Sequence, residues 1–142
     1  MSDTPKHSVS VAGIVVRDDR RVLAIHRRDN HHWEPPGGVL ELHETFDQGV
    51  RREVIEETGI DVQVERLSGV YKNMPRGIVA LVFRCSPIGG RLAPTDEAIS
   101  VRWLTIEEIR QRMDPAYVVC VTDAFVDRAA ARVHDGVHLV HI

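Results

Sequence analysis

The sequence predicts an α/β fold in which a mixed β-sheet is covered by helices. Three observations predict it. β-rich apolar runs outnumber helical ones, and the helical ones fall between them. Two segments open with the same helix-start signature, Thr45 with Gln48 and Thr105 with Glu108. No internal repeat, low-complexity tract or linker divides the 142 residues, so a single domain over 1–142 is expected.

The elements follow in order. "SVSVAGIVV" and "RVLAIHRR" are β-rich runs separated by "RDDR", which predicts a hairpin. "NHHWEPPGG" reads as a loop, because two prolines and two glycines oppose a regular element. Thr45 caps a helix from Phe46 to Thr58, and Gly59 is placed to end it. "DVQVERLSGVYKN" and "GIVALVFRC" read as strands joined across "MPR". "PIGGRLAPTDE" reads as a loop and "ISVRWL" as a further strand. Thr105 opens the short helix "IEEIRQRM". "PAYVVCVTDAFVDRAAARV" carries apolar residues at helical spacing and reads as a last helix, with "VHLVHI" as a short terminal strand.

Composition narrows the function. A net charge of −3 gives no reason to expect nucleic acid or an anionic membrane as partner. No apolar run approaches membrane-spanning length. "MSDTPKHSVS" has no apolar core of a signal peptide, and Cys85 and Cys120 suit small buried thiols better than a disulfide framework. A cytoplasmic location is expected. The oligomeric state stays open, a homodimer included.

The chemistry concentrates in "RREVIEETG". Glu53, Glu56 and Glu57 stand at i, i+3 and i+4, so they share one helix face and repel one another. Two of them lie in the last turn, where the helix dipole disfavours negative charge. On a helical wheel Phe46, Val50 and Val54 form the apolar stripe, and Glu53 and Glu57 lie along its edge, so these carboxylates point toward the body of the protein. Raised pKa values or a bound cation would relieve the repulsion. Hard oxygen ligands at this density suit Mg²⁺ or Mn²⁺. A solvated acidic face with arginine counter-charges is the competing reading. Gly49, in the same arc, either leaves room for metal-bound phosphate or permits a neighbouring strand to approach closely.

A longer pattern shifts the balance toward the metal site. Gly38, Glu44, Arg52, Glu53, Glu56, Glu57 and Gly59 stand in order, with aliphatic Val54 and Ile60 in place. This resembles the Nudix box, G-x5-E-x7-R-E-U-x-E-E-x-G-U, at every fixed position from Gly38 to Ile60. "WEPPGG" is similar to the family's common lead-in, and "EAISVRWL" to its Glu-bearing strand after the box. One departure is His43, where many members carry glycine.

The resemblance implies the Nudix fold, an α/β/α sandwich. It also implies hydrolysis of a nucleoside diphosphate linked to another moiety, with Mg²⁺ or Mn²⁺ required. It makes Glu53, Glu56 and Glu57 metal ligands, with the carbonyl of Gly37 as a further one. Arg52 orients Glu53, Glu44 supports the cluster, and Glu97 is an extra ligand or base. Either Glu53 or Glu97 is then the general base, and water is the nucleophile. The partner is a small-molecule nucleotide. Pro75, fifteen residues after Ile60, resembles the proline that ADP-ribose pyrophosphatases carry near that distance from the box, which implies a slight tilt toward nucleoside diphosphate sugars, although a turn also explains it. A MutT-type hydrolase of nucleoside triphosphates is the alternative, and a non-catalytic sensor the rival from another class. Trp33 stacks on substrate or wedges the hairpin. Arg27 and Arg76 are candidates for substrate phosphates, and His31 and His32 read as exposed loop residues.

Overall fold

Alternation along the first strand sets up two cores. In β1 (Ser8–Val15), Val11 and Val15 pack on one side with Val50 and Val54, while Ile14 packs on the other with Val121 and Ala124. A strand buried on both faces must be apolar in both phases of its period-two pattern, as this one is. The structure is a computed structural model and describes residues 3–93 and 95–140.

The remaining strands are β2 (Val22–Arg27), β3 (Trp33–Glu34), β4 (Gly37–Val39), β5 (Ile60–Asn73), β6 (Ile78–Gly90), β7 (Ala98–Leu104) and β8 (Ala130–His134). They form a five-stranded mixed sheet of order β4-β1-β6-β5-β8 and a three-stranded antiparallel sheet of order β3-β2-β7. In the larger sheet β1 runs parallel to β6, and β8 parallel to β5. Helix α1 (Phe46–Thr58) covers one side, and α2 (Ile106–Arg112) and α3 (Pro115–Asp123) lie toward the other. The result is the expected α/β/α sandwich with a mixed sheet. Among the described residues no helix is long and apolar enough to cross a membrane.

Both expected capping boxes are present. Thr45 accepts from the Gln48 N–H while Gln48 accepts from the Thr45 N–H, and Thr105 and Glu108 repeat the exchange. Gly59 ends α1 with φ 81°, a left-handed conformation that favours glycine. Cys85 and Cys120 are buried free thiols.

Five expectations need correction. The "RDDR" turn does not make a two-stranded ladder: β1 and β2 share only the Val16–Val22 bridge and then diverge into different sheets. The stretch read as a loop, "NHHWEPPGG", contains β3 and the start of β4, each held by a longer neighbour. β6 runs on through Pro87 to Gly90, with the proline at a register shift where its missing N–H breaks no ladder. Pro94, also in that segment, lies outside the described residues. The last helix stops at Asp123. Arg66 donates to the carbonyls of Ala124 and Val126 at 2.9 and 2.8 Å, and Arg84 to that of Ala124 at 3.0 Å. These guanidiniums take the place of further helical turns, and Ala130–His134 pairs with β5 instead. "VHLVHI" shows one bridge, His134 with Leu139, and its last two residues lie outside the described ones.

Phe46 is also not part of the buried stripe. It is 51% exposed at the start of α1 and rests against Phe83. Gly49 is buried, and a Cβ there would stand 2.6 Å from Leu40 Cδ1 and 3.2 Å from Val11 Cγ2. The glycine therefore lets α1 close on β1 and leaves no gap for phosphate.

Candidate active site

The acidic face of α1 is organised by one arginine. Arg52 grips Glu44 with both arms, Nε to Oε2 at 2.6 Å and Nη2 to Oε1 at 2.9 Å. Its Nη1 donates to Glu53 Oε1 at 2.8 Å and lies 3.4 Å from Glu56 Oε2. Nη2 also reaches the Val39 carbonyl at 3.2 Å, tying α1 to the end of β4. A planar guanidinium suits this forked work. The Arg52 pair, with the Glu41 N–H, holds the Glu44 carboxyl down at about 2. Glu44 and Arg52 thus fix Glu53 from behind.

Gly38 shows why the strand beside Glu53 carries no side chain: a Cβ there would lie 2.7 Å from the Glu53 carboxylate. Its neighbour Gly37 donates its N–H to Glu57 Oε1 at 2.7 Å. In a strand the N–H and C=O of one residue point to the same side, so the Gly37 carbonyl also faces the carboxylates.

Glu57 is 8% exposed. Burial pushes its pKa up to about 8; the Gly37 N–H and Arg27 oppose this, and the neighbouring charges of Glu53 and Glu34 add to it. Glu53, Glu56 and Glu57 line a cleft of about 400 Å³ together with Thr95, Asp96 and Glu97. Glu97 is exposed in the turn before β7 and lines the cleft together with the helix carboxylates. Among the described residues no three acidic, histidine or cysteine side chains already stand around one point as a metal cage. The donor set nevertheless fits a divalent cation. Five carboxylates share the cleft, the nearest guanidinium is committed to Glu44 and Glu53, and Glu57 has one N–H to offset its burial.

A second cavity, about 290 Å³, adjoins this one. Gly37, Gly38, Glu34 and Arg27 line its near end, and Asn73, His134 and Gly136 line it further along the sheet. Arg27 faces it, held by Asp29 at 3.0 and 2.9 Å and by Glu34 at 3.4 Å. Burial raises the pKa of Glu34 despite Arg27 beside it.

Trp33 is engaged within the protein: His26 stacks on it at 4.5 Å and the Arg112 guanidinium lies 5.3 Å from its ring centre. Both fit the wedge reading and leave its ring little surface for a base. Arg76 sits at the exposed tip of the β5–β6 hairpin and lines neither cavity. Pro75 lies in the same turn, as a turn proline would. His31 and His32 are exposed.

Sequence reasoning missed Glu34, Asp96 and Tyr117. Glu34 stands inside "WEPPGG" and Asp96 beside Glu97, so both had a local signal. Tyr117 had none, because only the docking of α3 brings it to the cavity.

A mixed sandwich with this arginine-organised acidic helix defines a class, and comparison confirms it: the chain belongs to the NUDIX domain family, whose model matches residues 6–123. The family is one of pyrophosphohydrolases. A MutT-like protein of Streptomyces ambofaciens is 58% identical over 138 residues, covering 96% of this chain and 89% of that one. An ADP-ribose pyrophosphatase of Methanocaldococcus jannaschii is 35% identical over 109 residues, covering 72% of this chain and 64% of that one. In fold, a NUDIX hydrolase from Nitrosomonas europaea matches with a TM-score of 0.79 at 22% identity, over 92% of this chain and 81% of that one.

Proposed function

We propose that this chain is a cytoplasmic, single-domain hydrolase that cleaves the pyrophosphate linkage of a nucleoside diphosphate joined to another moiety, by attack of water on phosphorus. The observation that carries the reading is the cleft shared by Glu53, Glu56, Glu57 and Glu97, with the second, less polar cavity opening beside it. Glu53, Glu56, Glu57 and the Gly37 carbonyl would hold Mg²⁺ or Mn²⁺. When bound, the cation supplies neutralisation of the pyrophosphate and an acidified water. The protein's own residues do the rest. Arg52, anchored by Glu44, keeps Glu53 in one orientation. Glu53 or Glu97 accepts the proton of the attacking water. Arg27, at the near end of the second cavity, meets the substrate's anionic oxygens.

ADP-ribose is the reference compound, in keeping with the name of the methanogen relative. The MutT-like relative favours a second reading, cleavage of a nucleoside triphosphate. Incubation with ADP-ribose, a GDP-sugar and dGTP in Mg²⁺, with products separated chromatographically, distinguishes them. The first reading yields a nucleoside monophosphate and a sugar phosphate, the second a nucleoside monophosphate and pyrophosphate. Turnover that persists in excess EDTA refutes the metal assignment. Tight nucleotide binding with no product from any compound refutes the enzyme and leaves a sensor.

A further inference from the structure

The cavity beside the acidic cleft is mostly apolar along its walls, with Val11, Ala12, Ile14, Ile78, Ala80 and Val82 among its lining residues. Two polar side chains stand side by side further along it. Asn73 and His134 are register partners in the parallel β5–β8 pair, so their side chains share one face of the sheet. Both line the cavity.

The hydrogen bonds around them fix what each presents. Asn73 Oδ1 accepts the Arg76 N–H at 3.3 Å, which sets the orientation of the amide. Its Nδ2 then stands toward Gly136, 3.7 Å from where a Cβ on that residue would be, and Gly136 also lines the cavity. The Gly136 N–H donates to His134 Nδ1 at 3.0 Å. A nitrogen that accepts carries no proton, so the ring is neutral and its one N–H is on Nε2. Burial, which lowers the pKa of His134, agrees with the neutral form. The wall therefore offers two adjacent donors, Asn73 Nδ2 and His134 Nε2.

A pair of donors on a mostly apolar stretch of wall discriminates between bases. Guanine presents two acceptors side by side, N7 and O6, whereas adenine presents the N7 acceptor beside an N6 amino donor. An adenine in this position would set its amino group against a donor and leave a buried polar pair unmatched. We propose that Asn73 and His134 are specificity-determining residues that select a 6-oxopurine nucleotide over an adenine nucleotide. This rests on the nucleotide hydrolase reading above and chooses the guanine-type member of that substrate class. His134 lies on the C-terminal strand β8, beyond residue 123, where the match to the family model ends.

Equilibrium titration of the full chain with GMP, AMP and 7-deaza-GMP tests it without depending on turnover. GMP is expected to bind at least about tenfold more tightly than AMP, the scale of a good two-point base contact. 7-Deaza-GMP, which lacks the N7 acceptor, is expected to lose most of that advantage. Asn73→Asp puts an acceptor where the donor was at nearly the same size, and His134→Phe removes the other donor. Each should erase the preference while thermal melts show a folded protein. Equal binding of GMP and AMP, no binding of either, or 7-deaza-GMP matching GMP overturns the proposal with no variant needed. A GMP preference that survives in both folded variants overturns it equally. The two readings fail separately: selective GMP binding without hydrolysis of any nucleotide removes the enzyme and keeps the base reader. Hydrolysis with no base preference does the reverse.

Discussion

Glu57 and Asp123 are buried to nearly the same degree, 8% and 7% exposed, yet their environments drive them in opposite directions. Burial lifts Glu57 to about 8, with one N–H, from Gly37, and the charge of Arg27 to resist it and the charges of Glu53 and Glu34 to add to it. Burial also pushes Asp123 upward, but its partners win and its pKa ends below the ordinary value. Arg132 donates to both its oxygens, at 2.8 and 2.9 Å, and the Tyr71 hydroxyl donates at 2.7 Å. Depth alone does not mark a functional carboxylate. What separates these two is whether the fold completes their hydrogen bonding: Asp123 is finished by the protein and joins α3 to β5 and β8, whereas Glu57 is left for something else to finish.

The sharpest way to break the comparison is to neutralise each carboxylate in turn. Glu57→Gln should lower kcat at least about a hundredfold, equivalent to about 2.7 kcal/mol in the barrier, while the metal-free protein keeps or gains stability because a repelling charge is gone. Steady-state kinetics with metal titration measures it. Near-normal turnover at unchanged metal affinity would place Glu57 outside the site.

Asp123→Asn should do the opposite. It removes the charge that two guanidinium contacts and a buried hydroxyl rely on, and should cost about 1.5–3 kcal/mol of stability. The lower part of that range is favoured, since the Arg132 side chain is 40% exposed and can rehydrate. Turnover per folded molecule should stay at the parental level. Urea unfolding together with kinetics on the same sample checks both halves.

Smallest, and most direct, is the pH dependence of stability. Between about 4.5 and about 8, folded Glu57 keeps a proton that the unfolded chain has released. Stability of the metal-free protein should therefore fall as pH rises through that window and level off above it. Asp123 acts in the mirror sense: its contribution is complete above its ordinary value of 3.8 and is lost as pH falls through the lower folded value. Thermal melts in EDTA should show both arms, with Glu57→Gln flattening the neutral one and Asp123→Asn the acid one. An unchanged neutral arm in Glu57→Gln would mean that another group titrates there.

What the sequence made legible follows from range. Helix α1, its caps at Thr45 and Gly59, and the carboxylate face are written in neighbouring residues, and the structure returns them almost residue for residue. The box pattern carried Arg52, Glu44 and Glu53 into one group before any packing was known, and the three do meet. Long-range pairing was not legible. Nothing in "RDDR" indicates that its two strands leave for different sheets, and nothing in "DRAAARV" indicates that β5 waits to pair with it. Gly49 was ambiguous for the same reason, because its meaning lies in Leu40 and Val11, which the helix wheel does not contain. The base-facing pair Asn73 and His134 was invisible, since two residues far apart in the chain become neighbours only in the finished sheet.

The sheet also records an order of assembly. β5 and β6, with 14 and 13 residues, are joined by the short turn at Met74–Gly77, so bringing them together closes almost no loop. β8 must find β5 across a far longer stretch, since Gly69 pairs with Ala130, 61 positions away (130 − 69). The hairpin is thus the natural folding nucleus, and β8 a late addition at the edge. Conservative substitutions in β5 and β6 should slow folding, with φ-values of about 0.5–0.8, and those in β8 should mainly speed unfolding, with φ-values of about 0–0.3. High φ-values confined to β8 would reverse the order. If it holds, the strand that carries His134 is the last to arrive in folding and the first to leave in unfolding, so base selection would be lost before the acidic helix comes apart.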